Sequence, residues 1–390
     1  MERPVIRTIT LGLGDPHPVA ERRVEQAADL LGAARKAFAA AGYEVQTVRI
    51  SMRPVLDDLG GPAAELTAYG RRLQAVLDAV GLDHCSLGTV DASRPDFAPD
   101  RLQVIEDLLP GLPALSCSVL LATAERDVRR EAASTVARTM LRIAERTEGG
   151  AGNFRFAALA CVEPGCPFFP AGYHRGPDTL GLGLQSASVV FDALDGMAGP
   201  DPAEVTRRTR AALTAAAAPV VELGQRLAAE AGVGFGGVDM SPAPSVHAGI
   251  ARALERGIGG PFGGPGTLAT VGAVTRAVRS TGLPTCGYNG LMLPVLEDPL
   301  LAARWEQGAL TAHQLLAYSS VCGTGLDTVP LPAGTTVEQI TGLLLDMATL
   351  AVKLTKPLSA RLFPLPGVAP GERTSFGSPH LVDIRLPGGR

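Results

Sequence analysis

The stretch TCGYNGLMLPVLEDPLLAARWEQGALTAHQLLAYSSVCGTGLDTVPLP, residues 285–332, holds denser polar punctuation than a packing core requires. It strings together a Gly-Tyr-Asn-Gly turn, the adjacent carboxylates Glu297 and Asp298, two helices and a Cys-Gly-Thr-Gly-Leu-Asp turn, and it reads as the floor of a site. Asp298 before Pro299 is an N-cap followed by proline at the first helical position, where a missing N–H costs nothing. Thr311 with Gln314 three residues on is a capping box opening a helix through Leu315, Leu316 and Tyr318. That helix delivers the chain to Cys322, Gly323, Thr324 and Gly325, where two glycines around a threonine let amides turn toward one point and hold an anion or a carbonyl oxygen. Cys322 stands at the helix C-terminal end, whose negative pole disfavours a thiolate.

Outward from this stretch the chain alternates strand and helix. Residues 5–13 read as an opening strand stopped by Gly14-Asp15-Pro16, and Val24, Ala28, Leu31, Ala34 and Phe38 recur at helical spacing until Gly42. Further strands are expected over 45–50, 86–90, 115–123, 153–162, 180–191, 234–240, 359–363 and 381–384. Helices are expected over 66–80, 100–109, 126–146, 202–231 and 337–354, with others starting at Ser245, as its N-cap, and at Thr267. Roughly ten strands with helices between most of them suit either a large closed barrel or a wide open sheet. No low-complexity linker divides the chain, so a single α/β domain over residues 1–390 is expected.

Composition narrows the partners. A net charge of −4, only 4% aromatic residues and no Lys/Arg stripe argue against nucleic acid. No apolar run approaches the roughly 20 residues that span a bilayer, and MERPVIRTIT lacks a basic-then-apolar signal, so no membrane partner is expected. The six cysteines form no C-x-x-C pair, which suits a reducing cytoplasm with free thiols. Homo-oligomerisation stays open.

The candidate chemistry lies on loops after strands. Asn153 and Arg155 start one strand, which breaks into the rigid Pro- and Gly-rich segment 164–174 ending at His174. Arg155 either binds a carboxylate bidentately or pairs with a buried Asp, and His174 is either a general base or ligand or the cap of a carbonyl. Asp239 and Ser241 end another strand, where they either face a ligand or cap a local turn. The expected catalytic set is His174, Asp239 and Cys322, with Cys322 alternatively a buried small thiol. Asn153, Arg155, Ser241, Asn289, Gly323 and Thr324 are the expected substrate-binding set. A divalent metal ion is the one cofactor kept open, on Asp239, Glu297 and Asp327, although no familiar ligand spacing links them. The glycine-rich turn at 262–267 lacks both the P-loop lysine and the dinucleotide spacing, so it reads as a plain turn.

Six segments carry a resemblance: IRTITLGL, NFRFAALACVEPGCPFFPAGYH, GFGGVDMSPAPS, GYNGLMLPVLEDPLLA, SSVCGTGLDTVPLP and KPLSARLFPLPG. In that order they resemble the family called domain of unknown function 711, over nearly the whole chain. The resemblance implies a fold like that of pyruvate formate-lyase, an α/β barrel of about ten strands, and it supplies no reaction. The Arg-Val-x-Gly-Tyr-like segment of a glycyl-radical enzyme is absent from the tail SPHLVDIRLPGGR. The expectation is therefore a non-radical enzyme, lyase or hydrolase in type, working by acid/base or metal-assisted chemistry on a small carboxylate-bearing metabolite. The rival is a metabolite-binding regulatory protein without catalysis.

Overall fold

Alternating side-chain chemistry along the strands builds a sheet with two unlike faces. The computed structural model describes residues 3–197, 199–244 and 249–388. Its strands are β1 (Val5–Gly12), β2 (Val45–Ser51), β3 (Cys85–Asp91), β4 (Leu115–Ala122), β5 (Phe156–Ala160), β6 (Thr179–Gln185), β7 (Gly234–Asp239), β8 (Gly325–Leu331) and β9 (Leu358–Pro364). They form one sheet in the order β7-β6-β1-β2-β3-β4-β5-β9-β8. Strands β1 to β5 are mutually parallel, while the β6–β7 and β9–β8 pairs run antiparallel to them at either end. The chain is thus an α/β protein with a nine-stranded mixed sheet that strand pairing does not close. Against about ten expected strands and a closed barrel, the segment between Thr285 and Pro294 makes only one parallel bridge to each edge, Thr285 to Val238 and Pro294 to Asp327.

Successive residues of a strand point to opposite faces, and here the two faces bury different things. Val119 and Leu121 of β4, Phe156, Ala158 and Ala160 of β5, and Leu180, Leu182 and Leu184 of β6 join the large core cluster with the helices. Leu120, Ala157 and Leu159, on the other face, join a smaller cluster with Cys166, Phe168, Tyr173, Tyr288 and Met292. The loop following β5 lies against this second face. Its Pro167 carbonyl accepts from Thr10 Oγ1 at 3.0 Å, and the His174 amide donates to the Met52 carbonyl at 3.0 Å. Glycine makes the room: a Cβ on Gly183 would stand 3.0 Å from both the Phe168 ring and the Thr8 methyl.

Most expected elements appear within a few residues of their bounds, and four expectations are corrected. Asn153 and Arg155 lie in a 3-10 segment, Glu148–Arg155, before β5 begins. The extended stretch from 180 ends at Gln185 and turns into the helix Ala187–Ala193. Residues 381–384 form no strand; Val382 N–H donates to the Leu296 carbonyl and ties the tail down instead. Gly325 to Asp327, read as a turn, open edge strand β8, which tolerates Pro330 as an edge can.

The caps fare well. Asp298 accepts from Leu300 and Leu301 at the start of Pro299–Glu306, and it also accepts from Ala251 N at 2.9 Å, joining a second helix, Ile250–Ile258. Thr311 accepts from Gln314 N, but the return bond of a capping box is absent there. Ser245 lies outside the described residues. Around 262–267 the amides are spent locally, Gly263 on Thr267 Oγ1 and Gly264 on the Pro261 carbonyl, so it is a plain turn. Among the described residues no helix is long and apolar enough to cross a membrane.

Candidate active site

The helix-free face of the sheet carries arginines and short polar side chains wherever the opposite face carries aliphatics. Arg7 on β1, Thr47 and Arg49 on β2, Asp327 on β8, and Ser359 and Arg361 on β9 line one cavity of about 550 Å³. His84 enters just before β3, Thr324 just before β8 and Glu297 just before the helix Pro299–Glu306. The loop after β5 contributes Phe168 and Phe169, and Tyr288 and Met292 come from the stretch that opened the sequence analysis.

Two of the three arginines are already neutralised. Glu297 accepts from Arg7 Nη2 at 3.0 Å and from Arg361, whose Nε also donates to Asp327 at 2.7 Å. Asp327 is buried, and burial pushes its carboxyl above the ordinary range; Arg361 opposes the shift and Glu297 adds to it. Arg49 is different. It is 8% exposed, its Nε donates to Thr47 Oγ1 at 3.0 Å, its guanidinium lies 5.5 Å from the Phe169 ring centre, and no carboxylate pairs with it among the described residues. Burial first, then Arg7, push it down to about 9, a sign of how poorly its charge is compensated. His84 is held neutral: burial and then Arg49 lower its imidazole to about 3. Among the described residues three buried polar atoms on the lining have no partner, His84 Nδ1, Tyr288 Oη and Thr324 Oγ1. Three guanidinia stand against two buried carboxylates, with a third, Asp83, exposed on the lining, and with unmatched polar atoms beside them the buried part of the wall is suited to an anion.

The expected site residues divide between this cavity and its supports. Glu297, Thr324 and Asp327 line it. Arg155 does not; its guanidinium donates to the carbonyls of Leu109, Leu112 and Leu115, and neither a substrate carboxylate nor an Asp occupies it. Asn153 is buried and donates to the Met140 carbonyl at 2.9 Å. His174 caps the Pro177 carbonyl at 2.8 Å in a separate crevice against Gly12 and Cys166. Asp239 is fully buried and accepts from Ser241 N and Oγ, Tyr288 N and Asn289 N, so it fastens the 286–290 turn to β7. Burial pushes it up to about 6 against those four bonds. Ser241 Oγ in turn accepts from Gly290 N, and Asn289, in the left-handed region at φ 45°, bridges Met240 N and the Cys286 carbonyl.

The expected amide nest at 322–324 is spent elsewhere. Gly323 N–H donates to the Leu291 carbonyl at 2.8 Å, and the glycine is there because a Cβ would come within 2.4 Å of Gly290. Cys322 is buried beside Ser319, whose carbonyl takes the Lys356 ammonium at 2.7 Å. Asp239, Glu297 and Asp327 do not gather as a metal cluster; among the described residues no group of three His, Cys, Asp or Glu does. Sequence reasoning missed Arg7, Arg49, Arg361 and His84. Arg49 and Arg361 had a signal: in VQTVRIS and LSARLFP the arginine stands at alternate positions with aliphatics, so a polar face had to be buried with it.

Comparison with known proteins places this architecture. A family model described as uncharacterised ACR (DUF711) matches residues 1–378. The chain belongs to the DUF711 family. Similar DUF711 relatives include a UPF0210 protein of Methanopyrus kandleri, 30% identical over 95% of this chain and 88% of its own. A UPF0210 protein of Pyrobaculum arsenaticum is 31% identical over 88% of this chain and 79% of its own. A third, from Corynebacterium glutamicum, is 26% identical over 95% and 85%. These names state no activity, so the argument for function rests on the DUF711 cavity itself.

Proposed function

We propose that this protein is a non-radical enzyme, lyase or hydrolase in type, that acts by acid/base chemistry on a small carboxylate-bearing metabolite held in the cavity. The observation that carries the reading is Arg49, a buried guanidinium on the cavity wall with no carboxylate of its own. A substrate carboxylate would complete it through charge-assisted hydrogen bonds. Asp327, held above the usual carboxylate range by burial, is the group suited to pass a proton, with Arg361 positioning it. Neutral His84 and the Thr324 hydroxyl offer hydrogen bonds to an oxygen of the reacting group.

One observation favours a metabolite-binding regulatory role instead: the two buried cavity carboxylates, Glu297 and Asp327, are already engaged by arginines. The fold belongs to the same reading. A ten-stranded barrel like that of pyruvate formate-lyase, with residues 285–296 in the tenth place, is supported by the two parallel bridges from that stretch to β7 and β8. Six free cysteines support a reducing cytoplasm as its location.

The test is titration calorimetry of the full chain with a panel of small carboxylic acids, paired with a turnover screen. Saturable binding that falls at least tenfold in Arg49→Met supports the anion site. Product formation that Asp327→Asn abolishes supports the enzyme, and binding without product supports the receptor. Acids that bind the Arg49→Met variant as tightly as the original chain contradict both.

A further inference from the structure

The cavity has a second character that the anion reading leaves unused. Six of its lining residues, Ala157, Phe168, Ala171, Ala243, Tyr288 and Met292, also belong to the smaller buried hydrophobic cluster. The same lining carries Arg7, Arg49, Asp327 and Arg361. At about 30 Å³ for each water-sized group, 550 Å³ has room for on the order of fifteen to twenty non-hydrogen atoms. A two- or three-carbon acid on Arg49 would leave most of that room, and the apolar floor, in contact with water.

Resting on the proposed anion site, we infer that the ligand is an amphipathic monocarboxylate: one carboxylate on Arg49 and a medium-length aliphatic or aromatic body on the floor of Phe168, Ala243, Tyr288 and Met292. The charge balance selects a monoanion, because among the described residues only one of the three cavity guanidinia, that of Arg49, lacks a carboxylate. The floor selects the body, because each methylene moved from water onto apolar side chains tightens binding about three- to fourfold. The body also fits the wall beside it, where Phe154 and Phe169 lie with ring centres 5.6 Å apart and Arg49 and Arg361 face their rings. The two rings, which also line the cavity, add apolar surface next to the guanidinia.

The experiment is a calorimetric series on the full chain with acetate, butyrate, hexanoate and 3-phenylpropionate, alongside hexanamide and 3-phenylpropionamide. The expected result is affinity rising about threefold per methylene to hexanoate, with each amide at least tenfold weaker than its acid. Ala243→Leu fills the floor and is expected to erase the gain from butyrate to hexanoate. Met292→Ala enlarges the floor and is expected to move the optimum to longer acids; each variant's melting curve reports that it is folded. A flat series, with acetate binding as well as hexanoate and both lost in Arg49→Met, overturns the amphipathic ligand and leaves the anion site standing. Amides that match their acids overturn the anion site as well. A chain-length profile unchanged in both folded variants shows that the floor is not where the body sits and overturns the inference.

Discussion

Arg49 is buried and Arg155 half-buried, and what each touches separates a binding group from a structural pin. Arg155 donates to the carbonyls of Leu109, Leu112 and Leu115, and burial pushes its guanidinium down to about 10. Arg155→Met is expected to destabilise the protein by about 3–5 kcal/mol through those unsatisfied acceptors, without changing ligand affinity in the folded fraction, as urea unfolding and calorimetry would show. Arg49→Met removes an uncompensated buried charge, so its expected cost in stability is under about 1 kcal/mol, or a gain, while anion binding is lost. Asp239 offers a pH test. Its folded carboxyl, at about 6, lies above its unfolded value, so the native state holds the proton more tightly. The stability this provides is complete below the unfolded pKa and is lost as pH rises through the folded one, by about 3 kcal/mol at most. Stability measured from pH 4 to 7 should therefore decline more steeply in the original chain than in Asp239→Asn; parallel profiles would show that Asp239 does not titrate there.

At the scale of elements, the loop after β5 is what turns a bare sheet face into a cavity. Gly183→Val would drive a side chain into Phe168 and Thr8, with an expected cost of about 1–3 kcal/mol and a weakened ligand site; unfolding and titration of the same sample check both. The elements themselves were largely legible, because periodicity reports which face of a helix or strand is buried. Val24, Leu31, Ala34 and Phe38 do bury one helix face, with Ala27 buried there and the expected Ala28 only half-buried, and Asp298 does cap the helix it precedes. What the sequence concealed was polar residues serving the backbone. Arg155, Asp239, Asn289 and His174 are the sort of residues that line sites, yet each is consumed by main-chain groups brought near by tertiary structure. No local pattern distinguishes an Asp that binds a ligand from one that binds Tyr288 N–H. Conversely Arg361 lay inside a recognised motif, and only the two faces of β9 reveal its pairing with Asp327 and Glu297.

For the whole molecule the question is how a sheet with two edges protects a charged interior face. Strands β7 and β8 end the pairing, and the chain between Thr285 and Pro294 spans from one to the other with a single bridge to each. If that stretch fills the tenth place, the amides of Cys286, bonded to the Val238 carbonyl, and of Val295, bonded to the Asp327 carbonyl, are expected to exchange as slowly as the amides within β7 and β8. Native-state hydrogen exchange reads this directly, and fast exchange at both would leave the sheet open in solution. Among the described residues, Arg49 is the cavity guanidinium without a carboxylate, and the proposed function turns on what that charge attracts. The most direct measurement is a crystal structure of the full chain grown with 3-phenylpropionate: the expected result is its carboxylate within about 3 Å of the Arg49 guanidinium, whereas an empty cavity with Arg49 turned onto Asp327 or Glu297 would contradict the site.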